Sequence, residues 1–401
     1  MTALHDTPRP PWSVVWALSV TQVISWGSLF YGISVLIAPI EHEFGWSRDT
    51  IVGAFSLSMV CSGLAAYPVG SLIDRYGGRY VMGAGSVLGA VMLALMSQVS
   101  SLPAFYAVWV GLGIAMGAVL YDPAFTVITA CFGVNARKGI TTLTLAGGFA
   151  STVFWPLTQA LIAALGWRQA LLVLALVNLM ICAPLHFWCL PAASANAGKL
   201  RRKTAATADR TATSIRQLLM TRTFWLLATA FTTNMLAFSA LSIHLIPLLN
   251  ERGFSMADAV WLAAIVGPMQ VAGRIGEYTI GARFRATQIA MLAFVALPLA
   301  LVVLWYAGLN WGLVLIFLAL YGASNGIMTI ARGVIPGEIY GPARYGAING
   351  ALAAPVLASR SLGPLFAAVI WSAAGGYDAV IGSLVVIGVL SAIAFVFAVK
   401  S

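Results

Sequence analysis

Long apolar runs, separated by short polar stretches, constrain this chain more than any other feature of its sequence. Each run has about the 20 residues that a helix needs to cross the hydrocarbon core of a bilayer. A helix is expected because lipid offers no partner for backbone polar groups, and a helix satisfies them internally. The chain is therefore predicted to be an all-α membrane protein with twelve transmembrane helices, at residues 12–38, 48–72, 79–98, 103–130, 138–163, 168–189, 222–249, 258–281, 286–306, 310–333, 344–371 and 376–398.

The composition excludes a soluble globular protein and one class of partner. Hydrophobic residues make up 60% of the chain and charged residues only 8%, whereas charged residues make up about 25% of a typical soluble domain. The net charge of +10 does not predict a nucleic-acid partner, because basic residues of membrane proteins gather on the cytoplasmic side. The partner that the composition does predict is the lipid bilayer.

The lysines and arginines predict how the helices are oriented. If the N-terminus is cytoplasmic, sixteen of the 22 basic residues fall on the inner side and only Arg48, Arg168 and Arg252 fall on the outer side. This bias predicts a multi-pass protein of the cytoplasmic membrane with both termini inside. The remaining three basic residues lie within predicted helices: Arg274, Arg332 and Arg360.

The sequence contains one internal repeat. A shift of 208 residues superimposes several identical pairs, namely Phe30 on Phe238, Ser34 on Ser242, Pro39 on Pro247 and Pro156 on Pro364. Because the repeat carries an even number of helices, the two copies have the same orientation and are related by a pseudo-two-fold axis along the membrane normal. Residues 1–190 and 222–401 are therefore predicted to form two six-helix bundles. The segment at 191–221, rich in Ala, Thr, Lys and Arg, is predicted to be a flexible cytoplasmic linker.

The loop between the second and third runs has the sequence GSLIDRYGGR, from residue 70 to residue 79. It resembles the signature loop of the major facilitator superfamily, G-x-L-x-D-R-x-G-x-R, at every fixed position. The resemblance implies a transporter that works by alternating access. An aspartate there can accept hydrogen bonds from arginines and from a helix N-terminus. The loop is therefore predicted to form a conformational latch, with Gly70, Asp74, Arg75, Gly77 and Arg79 as its residues.

Other segments resemble one branch of that family, the monocarboxylate porters and oxalate/formate antiporters. Three segments carry this likeness: Tyr31-Gly32 with Pro39, EFGWSR from 43 to 48, and GWR from 166 to 168. In that branch, a basic residue of the eighth helix and another of the eleventh or first helix bind a small organic anion. The resemblance places Arg274 and Arg360 at the first two of these positions, while the first run has no lysine. Gln270 stands where a carboxylate often precedes the arginine by one turn.

The two arginines are the leading candidates for a binding site. An arginine at the centre of a membrane helix costs roughly 2.5–3.5 kcal/mol to insert and usually faces a wet interior. A guanidinium can hold a carboxylate by two parallel hydrogen bonds, so Arg274 and Arg360 are predicted to bind a mono- or dicarboxylate. Alternatively, Arg274 snorkels to a membrane face or pairs with Glu277, and Arg360 pairs with a carboxylate of a neighbouring helix.

Further polar side chains lie in helices that usually line the transport pathway. Polar residues in membrane helices also hold the helices together, so each of these side chains has a packing alternative. The predicted substrate contacts among them are Tyr31, Gln270, Asn234 and Asn325, with Gln22 and Trp26 as further polar side chains of the same pathway.

Three residues are candidates for coupling transport to protons. Asp122, which precedes a proline in the fourth run, either carries a coupled proton or neutralises Arg332 or a neighbouring arginine. Glu277 is either a proton acceptor or an acid of the inner latch that faces the arginines of the next loop. His244 is a lone polar residue, and it is either a proton relay or a hydrogen-bonded packing residue.

The sequence shows no sign of an enzyme or of a metal centre. It has no glycine-rich phosphate loop with Lys-Ser/Thr and no His/Cys/acid cluster at metal-ligand spacing, so no cofactor is predicted. The leading prediction is a monomeric secondary active transporter of a small organic anion, with protons as a candidate coupled ion. An efflux antiporter for a drug or a soft metalloid, with thiol contacts from Cys61 and Cys131, is the same-fold alternative. A membrane sensor that does not transport is the remote alternative.

Overall fold

The computed structural model describes residues 12–133, 136–192, 220–280, 284–340 and 345–400. Within these ranges every regular element is helical, and twelve helical segments are long and apolar enough to cross a membrane. They are numbered spans 1 to 12 in chain order. The predicted linker lies almost entirely outside the described residues, so the division of the chain into two domains stays a prediction.

Seven of the spans are single helices. Each begins within one residue of its predicted start. Span 10 continues to Tyr340, beyond its predicted end at residue 333. The seven are span 2 (Arg48–Tyr76), span 3 (Gly78–Met96), span 7 (Arg222–Glu251), span 9 (Ala286–Ala307), span 10 (Trp311–Tyr340), span 11 (Tyr345–Ala374) and span 12 (Tyr377–Lys400).

The other five spans are interrupted. The middle segments of spans 1 and 6 are π-helices, a wider helix that is often found at functional sites. Spans 7 and 12, their counterparts in the repeat, are continuous, so these interruptions are not duplicated. The five are span 1 (Trp12–Ser25, Trp26–Tyr31, Ile33–Phe44), span 4 (Leu102–Val119, Tyr121–Phe132), span 5 (Ala136–Gly147, Ala150–Leu165), span 6 (Trp167–Val177, Asn178–Cys182, Ala183–Cys189) and span 8 (Met256–Ala264, Val266–Ile280).

The buried side chains form two hydrophobic cores. One core is built almost wholly from spans 1 to 6, and the other from spans 7 to 12. Only four fully buried residues belong to the core of the opposite half, namely Val35, Trp155, Ile243 and Ala368. Packing is therefore dense within each half and sparse between the halves, which suits two bodies that move against each other.

An arginine ties span ends together within each half. Arg168, at the start of span 6, donates to Glu43 at 2.6 Å and to two backbone carbonyls just after span 3, at 2.6 and 2.9 Å. Arg252, just after span 7, donates to Asp378 at 3.2 Å and to two backbone carbonyls at the end of span 9. Both clusters lie at the same end of the molecule.

The sequence repeat is also visible in individual contacts. Glu43 and Glu251, which are 208 residues apart, each accept a hydrogen bond from a tryptophan indole at 2.6 Å. The Ser34 hydroxyl donates to the carbonyl of its own counterpart, Ser242, at 3.2 Å where spans 1 and 7 cross. Residues that the 208-residue shift superimposes therefore make equivalent contacts in the two halves or contact each other.

The two halves meet at the end of the molecule that carries Arg48 and Tyr377, which we name the sealed end. The Arg48 guanidinium lies 3.9 Å from the centre of the Trp371 ring, and its Nη1 donates to the Tyr377 hydroxyl at 3.2 Å. The Ser372 hydroxyl donates to Asp49 at 3.3 Å. Spans 2, 11 and 12 are thus joined across the boundary between the halves.

The opposite end, which carries Gly77, is named the open end. Polar side chains of inner helices are exposed toward it, among them Asp122 in span 4 and Arg332 in span 10. A Cβ atom added to Gly70 or Gly333 would find no other heavy atom within 4 Å. Polar side chains of both halves are therefore exposed at this end, whereas the halves are joined at the sealed end.

Candidate functional site

A cavity of about 200 Å³ lies between the halves. Both halves contribute to its wall, through spans that are far apart in the sequence. All six side chains that were predicted to contact substrate line this cavity: Arg274, Arg360, Tyr31, Gln270, Asn234 and Asn325. The structure therefore brings them together in one place, although their role in binding stays a prediction.

The π-helix of span 1 supplies one wall of the cavity, including Trp26 and Tyr31. Neighbouring spans hold it in place. The Trp155 indole donates to the Tyr31 carbonyl at 3.0 Å, and the Asn178 amide donates to the Ser28 hydroxyl at 2.8 Å. Asn178 opens the π-helix of span 6, so the two wider helices face each other. Sequence periodicity gives no signal for such a segment, because it differs from an α-helix by one residue in a turn.

Arg274 in span 8 is buried, with only 5% of its surface exposed. Its Nη1 donates to the backbone carbonyl of Thr144 in span 5, and it also hydrogen-bonds the Tyr121 side chain. Gly148 lies beside it, and a Cβ atom there would come within 3.2 Å of Nη1. The guanidinium therefore does not snorkel to a membrane face, and no ion pair among the described residues joins it to Glu277.

One donor of Arg274 has no partner. Its Nε is buried and makes no hydrogen bond within the described part of the chain, and the same is true of the Asn234 amide nitrogen. A buried donor without an acceptor costs about 1–3 kcal/mol. Both residues line the cavity, although these two nitrogen atoms are themselves covered. An acceptor oxygen of a ligand would therefore recover that free energy once the side chain turns toward it.

Arg360 in span 11 rests on aromatic rings. Its guanidinium carbon lies 4.9 Å from the centre of the Trp26 ring and 5.5 Å from that of Phe30. Among the described residues it forms no ion pair, although the charge of Asp122 acts on it electrostatically. A ring face stabilises a cation while leaving its N–H donors free. The described residues therefore do not include a carboxylate that pairs directly with Arg360, which was the alternative prediction.

The cavity also contains residues that sequence reasoning did not place there. Arg332 had been identified as an intramembrane arginine without a role in binding, and the insertion cost that singled out the other two arginines applies to it equally. Phe30, Tyr121, Phe231 and Phe238 gave no signal, because apolar and aromatic side chains are expected everywhere in membrane helices. None of the described lining residues is acidic or a cysteine.

The two acidic candidates for proton coupling lie outside the cavity wall. Asp122 begins the second helix of span 4, and it is exposed while its charge acts on Arg360. Glu277 lies near the open end, where the charge of Arg137 in span 5 acts on it. Arg283 of the next loop lies outside the described residues, so the predicted latch partner stays untested. Neither Asp122 nor Glu277 belongs to the three ion pairs found among the described residues.

His244 also lies outside the cavity, in a network behind the sealed end. Its Nδ1 is 2.8 Å from the Tyr377 hydroxyl and its Nε2 is 2.9 Å from the Pro364 carbonyl. A carbonyl can only accept, so Nε2 donates to it, and Nδ1 of the neutral ring accepts from the tyrosine. Tyr377 in turn accepts from Arg48, which holds Glu41 by bonds of 2.9 and 3.0 Å.

The predicted latch lies at the open end. Gly77 adopts φ 85° between spans 2 and 3, a conformation that glycine tolerates best. Arg79 donates from Nε to the Leu190 carbonyl at 2.9 Å, which ties the loop to the end of span 6. Asp74 and Arg75 are exposed, and the ion pairs of the described residues do not include Asp74. The latch role of these residues stays a prediction.

Comparisons with known proteins agree with this architecture. The family model of the Major Facilitator Superfamily matches residues 18–309. Monocarboxylate transporter 13 of Rattus norvegicus is 26% identical over 333 residues, which cover 78% of this chain and 73% of the relative. Monocarboxylate transporter 12-B of Danio rerio is 25% identical over 262 residues, covering 59% and 55%. The probable L-galactonate transporter of Escherichia coli (strain K12) is 26% identical over 151 residues, covering 37% and 33%.

The matched part of the chain thus spans between a third and just over half of several of these relatives. Among solved structures, the nucleoside transporter NupG in its D323A form superimposes with a TM-score of 0.79 at 14% identity, covering 96% of this chain and 98% of that one. A bacterial homologue of the human lysosomal transporter Spinster, inward-facing and occupied, gives a TM-score of 0.69 at 17% identity, covering 98% and 97%. At such identities these likenesses show the fold alone.

The family match extends over most of the chain, and the curated relatives are transporters rather than enzymes. The twelve helical spans and the central cavity are those of the same fold. The chain therefore belongs to the Major Facilitator Superfamily, and it is similar to monocarboxylate transporters.

Proposed function

We propose that the protein is a secondary active transporter that moves a small organic anion, a mono- or dicarboxylate, across the cytoplasmic membrane. The observation that carries the proposal is the charge of the cavity. Arg274 and Arg360 line it, and no described lining residue is acidic. Charge taken out of water without compensation is costly, so an anionic ligand stabilises this site, and guanidinium donors suit a carboxylate.

The arrangement of the two ends supports alternating access. The contacts of the sealed end close the cavity on one side. On the other side, polar side chains between the cavity and the open end are exposed to solvent. With the orientation that the basic residues favour, the open end is cytoplasmic and the conformation is inward-facing. One chain supplies every described lining residue, so the monomer is proposed as the functional unit.

The test is exchange of labelled carboxylates by the purified protein in liposomes. Arg274→Ala and Arg360→Ala each remove charged hydrogen bonds worth about 1.5–3 kcal/mol, so apparent affinity is expected to fall about ten- to a hundredfold. Arg222→Ala is the matched control, because Arg222 is exposed at the start of span 7 and outside the cavity wall. Unchanged exchange by both cavity variants would contradict the proposal.

Protons are proposed as the coupled ion, with Asp122, Glu277 and His244 as the candidate carriers. Asp122 is the one whose charge acts on a cavity arginine. Replacing each in turn and comparing uptake driven by a pH gradient with exchange at equal pH separates the candidates. A coupling residue is needed for the first process and not for the second, and retention of both by all three variants would exclude them.

A further inference from the structure

The two walls of the cavity differ in chemistry. The N-terminal half contributes only aromatic rings and one glycine, namely Trp26, Phe30, Tyr31, Tyr121 and Gly147. The C-terminal half contributes every charged or amide side chain of the described lining: Asn234, Gln270, Arg274, Asn325, Arg332 and Arg360. A ligand between them therefore meets hydrogen-bond donors and positive charge on one side and ring faces and edges on the other.

The rings of the N-terminal wall form one continuous cluster. The Trp26 ring centre lies 5.0 Å from those of both Phe30 and Tyr121, at interplanar angles of 68° and 47°. Phe30 and Tyr31 are 5.1 Å apart at 85°. These are the tilted and edge-to-face arrangements that aromatic rings prefer, at centre distances of about 4.5–7 Å. A further ring entering the cavity can extend the cluster with the same geometry.

The cation–π contacts with Arg360 do not account for every ring of the N-terminal wall. Only Trp26 and Phe30 lie beneath its guanidinium. Tyr31 and Tyr121 complete the wall without a cation on their faces. On the opposite side, Phe231, Phe238, Met235 and Met328 add apolar surface around the polar groups. A very small acid such as formate would leave most of this apolar surface in water, which is unfavourable.

The size of the cavity points the same way. Its volume is about 200 Å³, and an engineered protein cavity of about 150 Å³ is known to hold a benzene molecule. The remaining volume suits a carboxylate group beside the ring. We propose that the substrate is an aromatic carboxylate of about the size of benzoate, with its ring on the N-terminal wall and its carboxylate on Arg274 and Arg360. This inference rests on the proposed anion transport and narrows its substrate class.

The first test compares three acids of equal charge on the purified full-length protein. Titration calorimetry measures the affinities for benzoate, cyclohexanecarboxylate and acetate. Ring-to-ring contact adds about 0.5–1.5 kcal/mol beyond apolar burial, so benzoate is expected to bind about three- to tenfold more tightly than cyclohexanecarboxylate, with acetate weakest. Equal or weaker binding of benzoate would overturn the inference.

That failure is distinguishable from failure of the proposed function. If another carboxylate binds more tightly than benzoate and Arg274→Ala weakens its binding, the aromatic substrate is wrong and anion transport stands. If benzoate does not bind and exchange of carboxylates is unaffected in Arg274→Ala and Arg360→Ala, both proposals are overturned.

The second test uses the ratio of the benzoate and cyclohexanecarboxylate affinities. Trp26→Leu is expected to bring this ratio close to one, while Trp26→Phe, which keeps a ring, retains the preference. Trp26 also supports Arg360, so absolute affinities fall for both acids and only the ratio is diagnostic. Phe254→Leu is the control, because the Phe254 ring packs on Trp311 at 5.6 Å and neither residue lines the cavity. A preference for benzoate that survives Trp26→Leu contradicts the assignment of the ring to this wall.

Discussion

Buried donors without acceptors are the residue-scale feature that links this structure to binding. The Arg274 Nε and the Asn234 amide nitrogen both lack a partner within the described chain. Each costs free energy while the site is empty, and an acceptor on the ligand recovers it. Without a ligand, the protein is thus less stable than a variant that lacked these unpartnered donors would be. Such a loss of stability is common where function and stability compete.

Asn234→Leu is therefore expected to change stability and affinity in opposite directions. The empty protein should unfold at a higher temperature, because the substitution removes an unpartnered buried amide worth about 1–3 kcal/mol. Carboxylate affinity should fall about five- to tenfold, in line with the loss of one hydrogen bond. Thermal unfolding measures the change in stability, and ligand binding by the same preparation measures the change in carboxylate affinity.

Gln22→Leu is the matched control. The Gln22 amide is also buried, but its nitrogen donates at 2.7 Å to the Val119 carbonyl and its oxygen accepts from the Trp26 indole at 3.1 Å. Its replacement should lower the unfolding temperature. If both substitutions destabilise the protein, the amide of Asn234 has a structural role and the interpretation given above is wrong.

The positive charges made part of the site predictable from the sequence. The rest could not be predicted, because the sequence does not show how each helix is rotated about its own axis. Arg274 and Arg360 stood out because arginine is rare within apolar runs. Hydropathy does not tell which face of a run turns inward, so Tyr121 gave no signal. For the same reason Gln22, a plausible pathway residue, is found to donate instead to the Val119 carbonyl at 2.7 Å.

Close packing of spans 8 and 10 is the element-scale feature that positions the site. A Cβ atom on Gly326 would lie 2.1 Å from the Gln270 carbonyl oxygen, and one on Gly273 would lie 2.4 Å from that of Ala323. Small residues allow such approach of helix backbones in membranes. Because Gln270 and Arg274 belong to span 8, this contact sets their distance from span 10.

Gly326→Ala is expected to destabilise the protein by about 1–3 kcal/mol, the usual cost of forcing an extra methyl group into a packed contact. Binding should weaken as well, because span 8 must shift. Gly333→Ala, in the same helix, is the control, since nothing lies within 4 Å of that position. Denaturation in detergent measures the stability of both variants. Equal effects of the two substitutions on stability would contradict the packing argument.

The interruptions of the helices were beyond the reach of the sequence. The predicted first run ended at residue 38, whereas span 1 continues to Phe44 through a π-helix. An α-helical and a π-helical turn of apolar residues have the same hydropathy, so composition cannot separate them. The contacts that hold the π-helix in place come from spans 5 and 6, more than a hundred residues away along the chain.

At the scale of the whole molecule, the halves are joined at the sealed end and also by spans 5 and 8 beside the cavity. Arg48 makes several of the contacts at the sealed end at once, through the Trp371 ring and the Tyr377 hydroxyl. The sequence repeat predicted the two bundles and their relation. It could not predict which end is closed, because both conformations of such a transporter contain the same helices and differ in how the halves tilt.

Arg48→Gln is expected to shift the protein toward a conformation that is open at the sealed end. Loss of the cation–π contact and the hydrogen bond removes about 1–2 kcal/mol from the closed state, a shift of about five- to thirtyfold in population. Spin labels at Ser47→Cys and Ala373→Cys, both exposed, report the distance between the halves in lipid. All four native cysteines are first replaced.

Arg168→Gln serves as the control for this measurement. Arg168 makes a comparable number of bonds, to Glu43 and to two carbonyls, but all of them lie within the N-terminal half. It should lower stability and leave the distance distribution unchanged. A distribution that is the same in Arg48→Gln and in the unmodified protein would show that Arg48 does not hold this end closed.

The positive cavity also has an electrical consequence. A charge in the middle of the bilayer feels the membrane potential, at about 2.3 kcal/mol per elementary charge for each 100 mV crossed in full. An empty carrier must reorient with the charges of Arg274 and Arg360 uncompensated by any described lining acid, whereas a loaded carrier reorients with part of that charge cancelled. Return of the empty carrier is then the slower and voltage-dependent half of the cycle, so one-for-one exchange of anions should outpace net movement.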